Sequence, residues 1–252
     1  MLIKKPFKKG FGFSAAPYYK ASGGGGLGLQ TSLTGFWSLE NTSWTDDTAS
    51  ATTLTGTASP TTASGKVGNA VSLNGTTQFL SAASNANIEN GGSSFSVQAW
   101  VNMTSVVPGT QTIFSKTNDA FGQREWGLGS KFTSSNVWSL TLFNTGSSQF
   151  DCNSTVTCTT GAWVHLVGTF NVSGGVCKIY VNGTDTTSGS PALTGTMNSS
   201  ASAPLNVGRD GATIIGACLI DQAGFWKGRI LSAGDVTALY NSGSGLSYAA
   251  ML

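Results

Sequence analysis

The sequence predicts an all-β protein, a two-sheet antiparallel sandwich of the jelly-roll kind, with one short C-terminal helix and an extended N-terminal arm. Three observations predict it. Short apolar runs alternate with polar residues at a period of two along most of the chain. Turn chemistry separates the runs, and Gly alone accounts for 34 of 252 residues. Helical periodicity is nearly absent, so the strands must pack on one another.

The clearest element is Thr160–Thr184, TGAWVHLVGTFNVSGGVCKIYVNGT. Two alternating apolar runs flank Ser-Gly-Gly, and Asn182-Gly183 closes the second, which reads as a β-hairpin followed by a tight turn. Earlier in the chain, Phe36–Leu39 opens the strand pattern. Ala70–Leu73 and Gln78–Ser81 flank Asn74-Gly75, another tight-turn signal. In Phe95–Val101, residues Phe95, Val97, Ala99 and Val101 form one face, and Ser96, Gln98 and Trp100 the other. Thr112–Ser115, Glu125–Leu128, Val137–Phe143, Leu205–Val207 and Cys218–Trp226 read as further strands. The helix is expected near Ser232–Tyr240: Ser232 as N-cap, Asp235 in the capping-box position, and Val236, Leu239 and Tyr240 as its apolar face, with Gly243 as the stop.

Charge divides the chain. Only 10% of residues are charged and the net charge is +2, well below the roughly 25% charged residues of an average globular protein. Lys4, Lys5, Lys8, Lys9 and Lys20 all precede the first acidic residue, Glu40, leaving eight basic and eleven acidic residues behind them. A basic arm therefore precedes a mildly acidic domain. Residues 1–32 interleave those lysines with Phe7, Phe11, Phe13, Tyr18 and Tyr19 and run into Gly23–Gly26, a flexible linker. The arm holds too little apolar surface to fold alone, so it reads as an anchor that orders against a partner, either a protein shell or nucleic acid. A solvated tail is the plain alternative. The basic start lacks the apolar stretch of a signal peptide, and no stretch is long enough to span a bilayer.

Four cysteines leave the redox state open. Cys152 and Cys158 bracket CNSTVTC and could close a hairpin disulfide; Cys177 and Cys218 could pair across the core. Buried, reduced thiols are the alternative for each pair.

Several segments, in order, resemble the laminin-G-like, concanavalin A-like jelly-roll family. GKVGNA followed by LNGTTQFL, then FSVQAWV, IFSK, GAWVHLVGTF with KIYVNGT, LNVGRDG, and LIDQAGFWKGRILSAGDVTALYNSG match its successive elements over about residues 35–248. The resemblance implies a domain over residues 33–252. One departure is Asp221-Gln222, where the family carries Asp-Glu. Some members are glucanases, which need two carboxylates at matched spacing on one strand. Glu occurs only at 40, 89 and 125, so a non-catalytic protein is expected. A serine triad would need His165, which sits mid-strand where a structural role fits better. Rim calcium is common in such folds, making Asp46, Asp47 and Asp221 the candidate oxygen donors, with solvated loop acids as the alternative.

Glycan binding wants an aromatic platform beside planar polar groups. The loop NDAFGQREWG offers Asn118, Asp119, Arg124 and Trp126, with Trp138 or Tyr180 as additional stacking faces; a core role is the alternative for the tryptophans. The leading expectation is a structural or adhesion protein on the surface of a virus particle, a phage. Its arm would be anchored to capsid or tail proteins in an oligomeric assembly, and its jelly roll displayed outward to host glycans. A secreted or cell-surface carbohydrate-binding module is the second expectation, and a glycoside hydrolase or lyase the third.

Overall fold

The computed structural model describes residues 27–105, 111–120, 122–131, 136–189 and 191–252. In chain order the strands are β1 (Leu33–Trp37), β2 (Thr55–Thr57), β3 (Thr61–Ser64), β4 (Asn69–Leu73), β5 (Phe79–Ala82), β6 (Phe95–Met103), β7 (Gln111–Thr117), β8 (Arg124–Lys131) and β9 (Val137–Phe143). They continue as β10 (Gln149–Thr157), β11 (Trp163–Asn171), β12 (Val176–Val181), β13 (Thr184–Asp185), β14 (Leu205–Val207), β15 (Arg209–Asp210), β16 (Thr213–Ile214) and β17 (Cys218–Lys227), before helix α1 (Ala233–Tyr240). An eight-stranded sheet runs β13-β12-β11-β6-β17-β4-β3, with β1 also paired to β17. A seven-stranded sheet runs β10-β9-β8-β7-β14-β5-β2. All named strand pairs are antiparallel, and the expected two-sheet jelly roll is the fold. No described helix is long and apolar enough to cross a membrane.

The Thr160–Thr184 hairpin forms as its periodicity predicts. β11 pairs with β12 from Asn171↔Val176 to Leu166↔Val181. Asn182 and Gly183, at φ 50° and 81°, turn the chain into β13. The Asn74-Gly75 signal leads to a different structure. β4 and β5 do not pair: they lie in different sheets. Asn74 Oδ1 accepts the amides of Thr76, Thr77 and Gln78, so its side chain turns the corner between the layers. Strand β10 was not expected, since its Ser/Thr/Asn-rich residues carry little apolar alternation.

Aromatic rings fill the space between the sheets. Trp126 is fully buried, stacked on Phe225 at 5.7 Å with planes 7° apart, edge-on to Phe114 at 5.1 Å and 5.9 Å from Phe95. Phe95, Val97, Ala99 and Val101 all enter this core. The opposite face of β6 is also covered. Trp100 stacks on His165 at 4.9 Å and on Tyr240 at 5.7 Å, and Lys66 Nζ lies 4.8 Å above its ring. Helix α1 closes this outer layer with Val236 and Leu239. Its capping box forms as expected, Asp235 N donating to Ser232 Oγ (3.1 Å) and Ser232 N to Asp235 Oδ2 (2.9 Å). Asn241, at φ 48°, is the left-handed C-cap, two residues before the expected Gly243.

Residues just ahead of the expected boundary at 33 also pack on the fold. Leu29 is buried in the outer cluster with Trp226 and Met251, and its carbonyl accepts Trp226 Nε1 at 2.6 Å. Leu29 N in turn donates to Met251 O (3.1 Å), and Arg229 Nη1 donates to the carbonyls of Gly28 and Thr31. Both chain ends of the fold thus lie together outside the eight-stranded sheet.

A buried ion pair ties one end of the sandwich together. Lys116 Nζ and Glu125 Oε1 are 3.0 Å apart with both side chains fully buried. Lys116 also donates to Ser84 Oγ and to the carbonyls of Ser200 and Ala203. Glu125 accepts Ser200 N (2.8 Å) and the Asn90 side-chain amide. Burial pushes the lysine down and the carboxyl up, and each partner's charge opposes the other's shift. The register shift between Lys116 and Thr117 is what turns Glu125 inward.

Two stability predictions follow from these groups. Lys116→Met leaves Glu125 unpaired in the core and should cost about 3–5 kcal/mol in urea unfolding. The double variant Lys116→Met/Glu125→Leu should cost less than the sum of the two single changes; strict additivity would contradict the coupling. Asp221 is buried on β17, where Oδ2 accepts the amides of Lys66 (2.8 Å) and Val67 (2.9 Å), and burial pushes its carboxyl up to about 7. A raised folded-state value favours folding below the ordinary value near 4, and that contribution is lost as pH rises through about 7. Asp221→Asn should therefore gain stability relative to wild type, by up to about 4 kcal/mol between about pH 4 and pH 8. Parallel pH profiles would contradict it.

Candidate functional site

The two outer faces of the sandwich differ. The eight-stranded sheet is capped by α1 and the chain ends. The outer face of the seven-stranded sheet carries small polar residues. One cross-strand row runs Thr55, Ser81, Asn206, Ser115, Gly127, Thr141 and Asp151. Glycine at 129 is required by space, because a Cβ there would lie 2.0 Å from Gln111 O. The β15–β16 hairpin lies across β7: Ser115 Oγ donates to Arg209 O (2.8 Å) and Gly211 N to Thr117 Oγ1 (3.2 Å).

At the end of this face the β7–β8 loop meets that hairpin. Asn118 closes the loop on itself, its N donating to Gln123 O (2.7 Å) and its Nδ2 to Gln123 Oε1 (2.9 Å). Asp119 Oδ2 accepts Ala212 N at 2.6 Å, and its Oδ1 faces Arg124 Nη2 at 3.6 Å. Arg124 Nε donates to Asn118 O (3.3 Å), and the guanidinium lies 5.6 Å above the Phe143 ring. Two neighbouring segments brace the loop from below. Asn198 Nδ2 donates to the carbonyls of Gly122 (2.8 Å) and Arg124 (2.7 Å), and Gly122 N donates to Ser147 Oγ (3.1 Å). The Arg124 and Asp119 side chains are 41% and 51% exposed. The result is a carboxylate and a guanidinium fixed by backbone contacts yet open to solvent, a pairing that can accept from and donate to adjacent hydroxyls.

The structure thus brings together Asn118, Asp119 and Arg124 but removes Trp126. That ring fills the core, so it cannot stack on a ligand. Trp138 and Tyr180 are buried as well. Sequence reasoning missed Ala212, Asn198 and Ser147. The Asp210-Gly211 pair was a visible turn signal for the β15–β16 hairpin, but nothing in the sequence indicated which strands it would cross.

The expected calcium ligands do not fit a cation site. Asp46 Oδ1 accepts Phe36 N and Thr48 N, and its Oδ2 accepts Ser50 Oγ and Thr52 N. Four donors occupy the lone pairs that a calcium ion would need. Asp47 Oδ2 accepts Ser38 N (2.9 Å), and Asp221 is committed to the Lys66 and Val67 amides. Among the described residues, no three His, Cys, Asp or Glu side chains gather as a metal site.

His165 is fully buried, its Nε2 3.2 Å from Gln98 Oε1, and burial pushes it down to about 3. It is a neutral packing residue. The arm residues Lys4, Lys5, Phe7, Lys8, Lys9, Phe11, Phe13, Tyr18 and Tyr19 lie outside the described residues.

Neither expected disulfide pairing fits. Cys152 lies opposite Leu140, and Cys158 N bonds to Asn136 O. The two cysteines are therefore about 13 Å apart along β9, against a limit near 7 Å between bridged Cα atoms. Cys177 lies opposite Phe170, itself opposite Phe95, whereas Cys218 lies opposite Met103 at the other end of β6.

Residues 74–237 match the Concanavalin A-like lectin/glucanases superfamily. No curated protein matches the sequence. Among solved structures, the fold is similar to domain 4 of AbnA, a GH43 extracellular arabinanase from Geobacillus stearothermophilus, in complex with arabinotriose. That match has TM-score 0.64 and 23% identity and covers 82% of this chain and 97% of that one. It is also similar to the binding domain of Paraclostridial Mosquitocidal Protein 1 (TM-score 0.70, 16% identity, 85% of this chain and 53% of that one). A third is the binding domain of Botulinum Neurotoxin DC in complex with SialylT (TM-score 0.64, 16% identity, 85% and 52%). This chain spans about half the length of the two toxin binding domains. At these identities the likeness is one of fold. With the superfamily match extending over most of the strands described above, the chain belongs to the Concanavalin A-like lectin/glucanases superfamily.

Proposed function

We propose that this protein is a non-catalytic carbohydrate-binding domain whose glycan contacts the Asp119–Arg124 rim. The observation that carries the reading is the rim geometry: both groups are held by backbone partners and left open to solvent. A sugar with vicinal hydroxyls would meet an acceptor and a planar donor already in position, which lowers the ordering cost of binding. The similarity to an arabinanase domain solved with arabinotriose and to a toxin binding domain solved with SialylT supports the same class of ligand.

The engagement of the three buried carboxylates supports a binding role over hydrolysis. A glycosidase needs one carboxylic acid and a second carboxylate free to act on substrate. Glu125 is engaged by Lys116, Ser200 and Asn90, Asp46 by four donors, and Asp221 by two amides.

In this reading the basic, aromatic N-terminal segment tethers the domain to a larger assembly, a virus particle with its capsid or tail proteins, and the rim faces outward at the particle surface. What supports this is the placement of the chain ends. Residues 27–29 join the C-terminus over the eight-stranded sheet, whereas Arg124 begins strand β8 of the seven-stranded one.

The reading predicts binding on a glycan array that falls about 10-fold or more in Arg124→Ala and in Asp119→Ala, as loss of a charged hydrogen bond implies. Both variants should stay folded. Arrays that remain uniformly negative, or binding untouched by both substitutions, would sink it. A chain beginning at Leu27 should keep the glycan binding and lose co-sedimentation with the particle; retained co-sedimentation would remove the tether.

A further inference from the structure

The two sheets are joined along one side by a seam of backbone bonds. β13 pairs with β12 in the eight-stranded sheet through Tyr180↔Asp185 and Val181↔Thr184. The next residues bond across to β10, the edge of the seven-stranded sheet: Thr155 N donates to Thr186 O (2.8 Å) and Ser188 N to Asn153 O (2.7 Å). Packed sheets ordinarily stand about 10 Å apart, too far for a disulfide, whose Cα atoms lie about 4.4–6.8 Å apart. The seam draws β10 and β12 closer than the usual sheet spacing, with Cα atoms of the two strands within 8 Å of each other.

Two cysteines sit just inside it. Cys152 points inward from β10 beside Leu140, and Cys177 points inward from β12 beside Phe170. Both are buried, and their thiols lie near enough across the seam for each to shift the other's acidity, with Cys177 Sγ also 3.7 Å from Pro191 O. The other two cysteines have no such neighbour: Cys158 lies by Ser130, and Cys218 is buried at the far end of β6.

We propose that Cys152 and Cys177 are a disulfide site, closed when the chain folds in an oxidising medium, and that the bond staples the two sheets at this seam. With glutathione disulfide as oxidant, a Cys177 thiolate attacks one glutathione sulfur and releases the first glutathione thiolate. The Cys152 thiolate then displaces the second. One S–S bond forms and one breaks, the two cysteines lose two electrons and two protons, and two molecules of glutathione carry them away. The proximity also splits the acidities: the neighbouring Cys152 thiol holds Cys177 down, while Cys177 and burial push Cys152 up. Because both sulfurs are buried, the exchange belongs to folding or to opening of the seam.

The test is to refold the full chain in a glutathione redox buffer, alkylate at low pH, and map linked peptides by mass spectrometry. Circular dichroism confirms the native fold. The expected product links Cys152 to Cys177, leaves Cys158 and Cys218 free to alkylate, and melts several degrees above the reduced protein. Cys152→Ser and Cys177→Ser should each abolish the linked peptide and the difference in melting. A folded protein with four free thiols, a bridge involving Cys158 or Cys218, or glutathione adducts in place of the internal bond would overturn the proposal.

Discussion

Three consecutive residues at the start of β8 are sent to three different places, and much of the domain depends on that division. Arg124 turns outward to the rim, Glu125 turns in to Lys116, and Trp126 enters the aromatic core. Regular alternation would have placed Arg124 and Trp126 on one face and Glu125 on the other. The register shift opposite Lys116 and Thr117 breaks that rule. It costs ladder regularity and lets Glu125 reach Lys116 in the interior. The same arrangement fixes the direction in which the guanidinium leaves the sheet.

The two layers consequently have different roles. The outer face of the eight-stranded sheet is a second core, with Trp226, Phe36, Leu239 and Met251 packed beneath the helix and the chain ends. The Trp100–His165–Tyr240 stack extends that packing. The seven-stranded sheet keeps a polar outer face crossed by one small hairpin. Its rim is braced by the loops after β9 and before β14. One layer thus carries an open polar face, and the other carries residues 27–29 and the last residues of the chain.

The fold was legible because each strong signal was local. Alternation in Phe95–Val101, the Ser-Gly-Gly and Asn-Gly turns, and the Ser232/Asp235 capping box each follow from a few neighbouring residues. What was not legible depends on register and on sheet assignment. Asn74-Gly75 reads the same whether the flanking strands pair or part, and here they part. Strand β10 carries polar residues because its outer side is solvated and its edge is laced to residues 186–188, so alternation is weak. Trp126 has the composition of a sugar platform and the environment of a core residue, and only the bulge tells them apart. Asp119 and Arg124 were found from residue type within one loop. Ala212, which holds Asp119, lies far along the chain and could be found only from topology.

The central claim is that the rim at Asp119 and Arg124 is the binding surface of this domain. Chemical-shift mapping of the isotopically labelled protein, titrated with an oligosaccharide selected on an array, tests it most directly. The account predicts saturable shifts at the amides of Asn118, Asp119, Gly122 and Ala212 and at the Arg124 Nε, with the Trp126 indole unchanged. Saturable shifts confined to other surfaces, with the rim signals still, would contradict it.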